Sequence, residues 1–302
     1  MRLVTFSDGS NTTPRIGILS GDNTRVVDVG AAAASLQVKL PFDANDMLSL
    51  IAQGQTALDA LKQLSTARTT DLALSACKLY APIPRPRKNI FCVGWNYQDH
   101  FNEGASMRTH VKEMPAYPTL FTKAPTAVTG PYDTIPFHHT VSSQLDWEAE
   151  LGVIIGRSGI NISSDTAMQH VFGYTVINDL SWRDIQKRHG QQWFKGKSLD
   201  GSCPMGPWIV TADEVEPNSL AITCRVNGVV KQSSNTQYLY FKLPRIIAEL
   251  SAGLTLESGD IISTGTPAGV GQARDPQEFM KPGDVVETEV AGVGLLRNQI
   301  GQ

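Results

Sequence analysis

The 302-residue sequence has no dense run of lysine and arginine: 26 basic and 29 acidic residues leave a net charge of −3, and Arg85, Arg87 and Lys88 are spaced by prolines. Without a basic stripe to neutralise phosphates, a nucleic-acid partner is not indicated. No stretch approaches the roughly 18–20 continuous apolar residues of a membrane span, so no membrane role is indicated either. Residues 1–10 lack the basic head and apolar middle of a secretory signal, and the expected location is the cytoplasm. Cysteine is scarce. Cys77, Cys92, Cys203 and Cys224 are scattered with no Cys-x-x-Cys pair, which argues against a zinc–thiolate site. Three of them have apolar neighbours and read as buried free thiols. Internal repeats and low-complexity segments are also missing. What remains is an ordinary globular composition, 41% hydrophobic and 18% charged, long enough to bury a sizeable core.

Residues 1–80 read as a small α+β unit. Strand-like runs at residues 3–6, 15–19 and 25–29 precede a helical pattern over 45–64, with Asp46 as its N-cap. Residues 81–88, Ala-Pro-Ile-Pro-Arg-Pro-Arg-Lys, disfavour helix and ladder alike and mark a linker. From residue 89 to 302 short strands separated by glycine turns dominate: 89–93, 145–155, 171–177, 220–226, 229–232, 260–264 and 284–290, with one helix at 243–250. Asn227-Gly228 is a preferred two-residue hairpin turn. The fold class expected is α+β, mostly β, with a barrel-like or rolled core.

The chemistry gathers in that second part. In the run from Leu145 to Ile155, an extended chain puts Asp146, Glu148, Glu150 and Gly152 on one face and Trp147, Ala149, Leu151 and Val153 on the other. Neighbouring carboxylates repel and raise each other's pKa unless something positive sits between them. A hard divalent ion meets that need with all-oxygen ligands. Alone, such a pair reads more readily as a solvated acidic edge. Asp179, at the end of the apolar run 172–178, supplies a third acid with room left for water and a chelating substrate. In isolation it reads as a cap for the helical segment 180–188.

His100 and Glu103 stand three apart after the 89–93 strand. On a helical turn they share a side, and the carboxylate would orient the imidazole for proton transfer; the plain alternative is a surface contact. The adjacent His138 and His139 point to opposite faces of a strand and cannot easily chelate one ion together. His110, His170 and His189 have no partner in the sequence. Lys197 lies between Gly196 and Ser198 before a Pro/Gly-rich turn, as an exposed loop lysine or a stabiliser of developing negative charge. The run Thr264-Gly-Thr-Pro-Ala-Gly269 shapes a loop whose backbone N–H groups can hold a carboxylate.

Taken in order, these stretches resemble the fumarylacetoacetate hydrolase family over residues 89–298. The pieces are Gly94-Trp-Asn-Tyr-Gln-Asp-His100 with Glu103, Phe121-Thr-Lys123, Asp146-Trp-Glu148-Ala-Glu150, Asn178-Asp179, Arg183-Asp-Ile-Gln186, Gly196-Lys197 through Gly206-Pro207, and Ser263 to Gly269. The resemblance implies a β-roll core, a small N-terminal domain and a homodimer. It assigns Glu148, Glu150 and Asp179 to Mg²⁺ or Mn²⁺, with Ca²⁺ able to substitute in a crystal. It makes His100 and Glu103 a catalytic dyad on a short helix and Lys197 a lysine of the site. It sets Lys123, Arg183, Gln186 and Thr266 in or behind a substrate pocket. The insertion at residues 104–120, with Met107, Arg108, His110, Lys112 and Tyr117, falls where a substrate-covering lid would be.

The expected partner is a small anionic oxo-acid. The first reading of the reaction is hydrolysis of a C–C bond in a 2,4-dioxo acid of the acylpyruvate type, through a metal-stabilised enolate. The alternative is a lyase or isomerase using the same enolate, such as an oxaloacetate decarboxylase, a 2-oxo-heptenedioate isomerase or a sugar-acid dehydratase. A protein that only binds metal or ligand is disfavoured by the presence of dyad, ligands and lysine together.

Overall fold

The computed structural model describes residues 1–65, 71–105, 111–190 and 192–302. Its centre is a twelve-stranded sheet. Along it lie Asp71–Ala73, Arg25–Asp28, Arg15–Leu19, Arg2–Asp8, Cys203–Thr211, Val171–Asn178, Ala149–Ile155, Ile261–Ser263, Ile90–Gly94 and Thr119–Lys123. Strands from the first 80 residues thus join those of the second part through Arg2–Asp8 and Cys203–Thr211, paired at Leu3 with Ile209. A four-stranded sheet of Val229–Asn235, Ala221–Val226, Val285–Val290 and Gly294–Gln299 stands apart from it.

The apolar run after Glu150 has its cause here. Ala149, Leu151, Val153 and Ile155 pack in one core with Ile222, Cys224, Val286 and Leu296 of the four-stranded sheet. Ile154 on the opposite face joins a second core with Phe172, Ile209 and the helix residues Leu50, Ile51 and Leu61. A strand covered on both faces reads as continuously hydrophobic instead of alternating.

Several expectations change. The helical pattern over 45–64 is two helices, Met47–Ala52 and Gln55–Leu64, because the chain turns at Gly54 with φ +50°. Asp46 caps the first, accepting from the Leu48 N–H. The run 145–155 is not one strand. Leu145–Asp146 pairs with Ser181–Trp182, and the main-sheet strand begins only at Ala149. The Pro/Gly-rich stretch after Lys197 is no turn but the nine-residue strand Cys203–Thr211. The missing N–H groups of Pro204 and Pro207 disguise it, although its neighbours Cys203, Met205, Ile209 and Val210 are wholly buried. Cys92, Cys203 and Cys224 are buried free thiols, and Cys77 is partly buried. Among the described residues no helix is long and apolar enough to cross a membrane.

Candidate active site

Glu148, Glu150 and Asp179 converge: one ligand oxygen from each lies within 4.8 Å of the others, and all three residues are buried. The convergence follows from pairing. Ala149 sits opposite Asn178 and Glu150 opposite Ile177 in the antiparallel register, so the chain brings Glu148 across from Asp179 with Glu150 two residues along. The backbone carbonyl of Glu148 accepts from the Asp179 N–H at 2.8 Å, and the Asn178 Oδ1 accepts from the Glu148 N–H at 3.0 Å. Asp146 departs from this group. It accepts from Arg183 Nε at 2.7 Å and from the Gly271 and Gln272 amides at 2.6 and 3.0 Å. The strand break at Trp147 and Glu148 is what separates the two acids. Asp179 is not a helix cap, because the helix Arg183–Arg188 starts after Trp182 without a side-chain cap.

The three carboxylates are held differently. Burial pushes the Glu148 carboxyl up, but Lys197 and Arg183 outweigh it and hold the group well below the usual range. Lys197 Nζ lies 2.6 Å from Glu148 Oε2 and 2.7 Å from Asp179 Oδ2, and Arg183 Nη2 lies 2.7 Å from Glu148 Oε1. Among the described residues Glu150 takes part in no ion pair. It accepts from Ser263 Oγ at 2.6 Å and the Gly265 N–H at 2.8 Å. Burial, then the charges of Asp179 and Glu148, drive its carboxyl well above the ordinary value. An all-oxygen donor set with one uncompensated buried acid fits a hard divalent ion.

Lys197 is not an exposed loop lysine. It ends the short helix Phe194–Lys197 with 2% of its surface accessible. Lys123 is wholly buried and spends its ammonium on Asp179 Oδ1 at 2.8 Å and the Leu180 carbonyl at 3.1 Å. It braces Asp179 from behind the cavity, the supporting place among those expected of it. Arg183 is likewise engaged with Asp146 and Glu148 while still facing the cavity. Gln186 Oε1 accepts from Arg183 Nη1 at 3.1 Å, which leaves its N–H groups for a ligand. Thr266 Oγ1 accepts from Gln232 Nε2 at 2.7 Å and keeps its own hydroxyl hydrogen.

A cavity of about 840 Å³ opens onto this centre, lined by His100, Glu103, Glu148, Glu150, Lys197 and Thr266 among others. His100 and Glu103 lie on the helix Gln98–Glu103 with Nδ1 and Oε1 at 2.7 Å. The second carboxylate oxygen of Glu103 accepts from the Gly269 N–H at 2.7 Å. The glycine loop therefore does hold carboxylates through its amides, but they are those of Glu103 and Glu150. Tying both Glu103 oxygens fixes the imidazole through Nδ1, and His100 itself lines the cavity.

Sequence reasoning missed several supports. Buried Asn96 accepts from the Phe241 N–H at 2.7 Å and donates to the Thr264 carbonyl at 2.8 Å, clamping the turn before the dyad helix to the glycine loop. Gln232 accepts from the Ala149 N–H at 2.9 Å and donates to Thr266. Asn96 lies inside a quoted motif, so its place there was a signal; Gln232 carries none in its own strand. Trp95, Phe121 and Trp193 form an aromatic wall, with ring centroids 5.0 Å apart for Trp95–Trp193 and 5.2 Å for Phe121–Trp193. Of the 104–120 insertion, Gly104, Val111, Thr119 and Leu120 line the cavity. Met107, Arg108 and His110 lie outside the described residues. His138 contacts the Asp200 carbonyl and the Trp182 ring, a structural place.

The residue 89–301 segment matches the family model described as fumarylacetoacetate (FAA) hydrolase, C-terminal. The chain belongs to the fumarylacetoacetate hydrolase family. This family member is 43% identical over 289 residues to the oxaloacetate tautomerase of Bacillus subtilis, covering 93% of this chain and 94% of the relative. Its fold superposes on a fumarylacetoacetate hydrolase from Exiguobacterium antarcticum with a TM-score of 0.83 at 37% identity, covering 100% of this chain and 99% of the other. It also matches a maleylpyruvate hydrolase from Sphingobium sp. SYK-6, solved with manganese(II) and pyruvate, with a TM-score of 0.76 at 29% identity and full coverage of both chains.

One close approach in this fold holds the site's two short helices together. A Cβ on Gly196 would lie 2.3 Å from the Gln186 backbone nitrogen and 2.5 Å from its Cα. Gly196→Ala must push the Phe194–Lys197 helix off Arg183–Arg188. A loss of about 1–3 kcal/mol of stability in urea unfolding is expected for such overpacking, with activity falling further as Lys197 moves.

Proposed function

We propose that this enzyme catalyses proton transfer on a short 2-oxo dicarboxylic acid, interconverting keto and enol forms of an oxaloacetate-type substrate. The observation that carries this reading is the 43% identity, over 93% of the chain, to a protein named oxaloacetate tautomerase. The geometry supports it with a base, a charge-stabilising centre and no requirement for a positioned water. His100 Nε2 takes the proton from the carbon next to the 2-oxo group, and the electron pair moves toward the oxygen. Glu103, 2.7 Å from Nδ1, stabilises the imidazolium that forms. The proton then goes to that oxygen, giving the enol, and the reverse path regenerates the ketone. Mg²⁺ or Mn²⁺ held by Glu148, Glu150 and Asp179 supplies positive charge where negative charge develops. Lys197, buried against Glu148 and Asp179, adds to it.

The test is the decay of enol oxaloacetate absorbance with Mg²⁺- or Mn²⁺-loaded protein, alongside an assay for pyruvate. Faster equilibration without stoichiometric pyruvate is expected. No acceleration with either metal would sink the reading. C–C hydrolysis of an acylpyruvate is the second reading, supported by the fold's likeness to a maleylpyruvate hydrolase; pyruvate released from acetylpyruvate would move the assignment there. A homodimer in the cytoplasm completes the proposal, checked by sedimentation and by cell fractionation.

A further inference from the structure

The cavity's charges are unevenly used. Arg183 is paired with Asp146 and Glu148, and Lys197 with Glu148 and Asp179. Lys187 also lines the cavity, and among the described residues it takes part in no ion pair. It lies on the helix Arg183–Arg188, where Arg183, Gln186 and Lys187 are spaced i, i+3 and i+4 and so share the side that faces the cavity. Four residues advance roughly 6 Å along a helix axis, so the face runs outward from the carboxylate centre: a committed guanidinium, then an amide with free N–H groups, then an uncommitted ammonium. Burial and the nearby Arg183 guanidinium lower the Lys187 pKa, so an arriving anion would relieve that repulsion. Trp95, Phe121 and Trp193 also line the cavity and form an aromatic wall.

A 2-oxo acid that puts its oxo and adjacent carboxylate oxygens toward the Glu148–Glu150–Asp179 centre must direct its other end along this face. We propose that Lys187 is a specificity-determining residue that binds the distal carboxylate of a 2-oxo dicarboxylate, with the Gln186 amide between it and the centre. This rests on the proton-transfer reading of the site and narrows it: the preferred substrates are short diacids, and 2-oxo monoacids bind as the head alone. Lysine suits the role because its ammonium is a point charge on a flexible arm, able to follow diacids of slightly different length.

Calorimetric titration of the Mg²⁺-loaded protein with pyruvate and with oxaloacetate separates head from tail without relying on turnover. Wild-type protein is expected to bind oxaloacetate at least about tenfold more tightly than pyruvate. Lys187→Ala should remove that advantage, weakening oxaloacetate about tenfold while leaving pyruvate unchanged, and Lys187→Arg should restore most of it. In tautomerisation assays the same variant should raise KM for oxaloacetate with kcat nearly constant, the pattern of lost binding shared by ground and transition states. Equal weakening of both ligands, or none of either, would overturn the subsite and leave the proton-transfer reading standing. So would tighter binding of phenylpyruvate than of oxaloacetate, which would give the outer cavity to its aromatic wall. Failure of wild-type protein to bind either pyruvate or oxaloacetate overturns both.

Discussion

Glu150→Gln is expected to abolish metal binding while leaving the metal-free protein as stable as the parent or more so. The reason lies in how unequally the three acids are compensated. Glu148 and Asp179 each accept from a buried lysine at 2.6–2.8 Å, but among the described residues Glu150 accepts from a serine hydroxyl and a glycine amide alone. Replacing Glu148 would leave the buried Lys197 and Arg183 under-compensated, and breaking such a pair costs about 3–5 kcal/mol. Replacing Glu150 removes a carboxyl whose ionisation burial and its acidic neighbours already oppose. A glutamine oxygen can still accept from Ser263 and Gly265. Metal binding stabilises a fold by mass action, about 2.7 kcal/mol at a hundredfold excess over Kd, which is several degrees in Tm. Thermal melts with and without Mg²⁺ or Mn²⁺ should show that rise for the parent and none for Glu150→Gln. An unchanged metal-dependent rise in the variant would remove Glu150 from the ligand set.

His100→Ala should do the opposite, keeping the metal-dependent rise in Tm and losing turnover by about 10²–10⁴, the usual worth of a positioned general base. The residue is clear of the carboxylate centre's hydrogen bonds, so its removal leaves the ligands in place. Glu103→Gln tests the other half of the dyad. Its carboxylate joins His100 Nδ1 through one oxygen and the Gly269 N–H through the other. An amide offers one acceptor and one donor, so it can keep the glycine contact only by presenting N–H groups to the ring. That favours the wrong tautomer, with a proton on Nε2 where a lone pair is needed. Activity should fall steeply and the acid limb of the rate profile should change, whereas a merely structural Glu103 would alter stability and leave the profile alone. Full activity in both His100→Ala and Glu103→Gln would displace the base from this helix.

Glu148, Glu150, Asp179, His100 and Glu103 were marked by local spacing, acids at alternate positions, an acid after an apolar run, a histidine and glutamate one helical turn apart, and the family resemblance supplied their expected roles. The glycine loop at residues 264–269 was legible as a carboxylate holder, but not which carboxylates it holds. Lys197 and Lys123 were less so, since a lysine in a loop or strand looks the same in sequence whether solvated or buried. The strand Cys203–Thr211 was hidden by its prolines, and the break at Trp147 by unbroken alternation across it.

By itself the sequence indicated a mostly β molecule, three acids able to converge and a His–Glu pair one helical turn apart, in their order along the chain, because period and motif are properties of neighbouring residues. Only the tertiary structure decided which cation answers which acid. Lys123, Arg183 and Lys197 come from distant segments, and the partners they meet depend on strand register and on a glycine-sized gap between two short helices. Among the described residues the same packing leaves Glu150 without an ion pair and Lys187 without an acid, and on those two positions rest the proposals of a metal ion and of a substrate's far carboxylate.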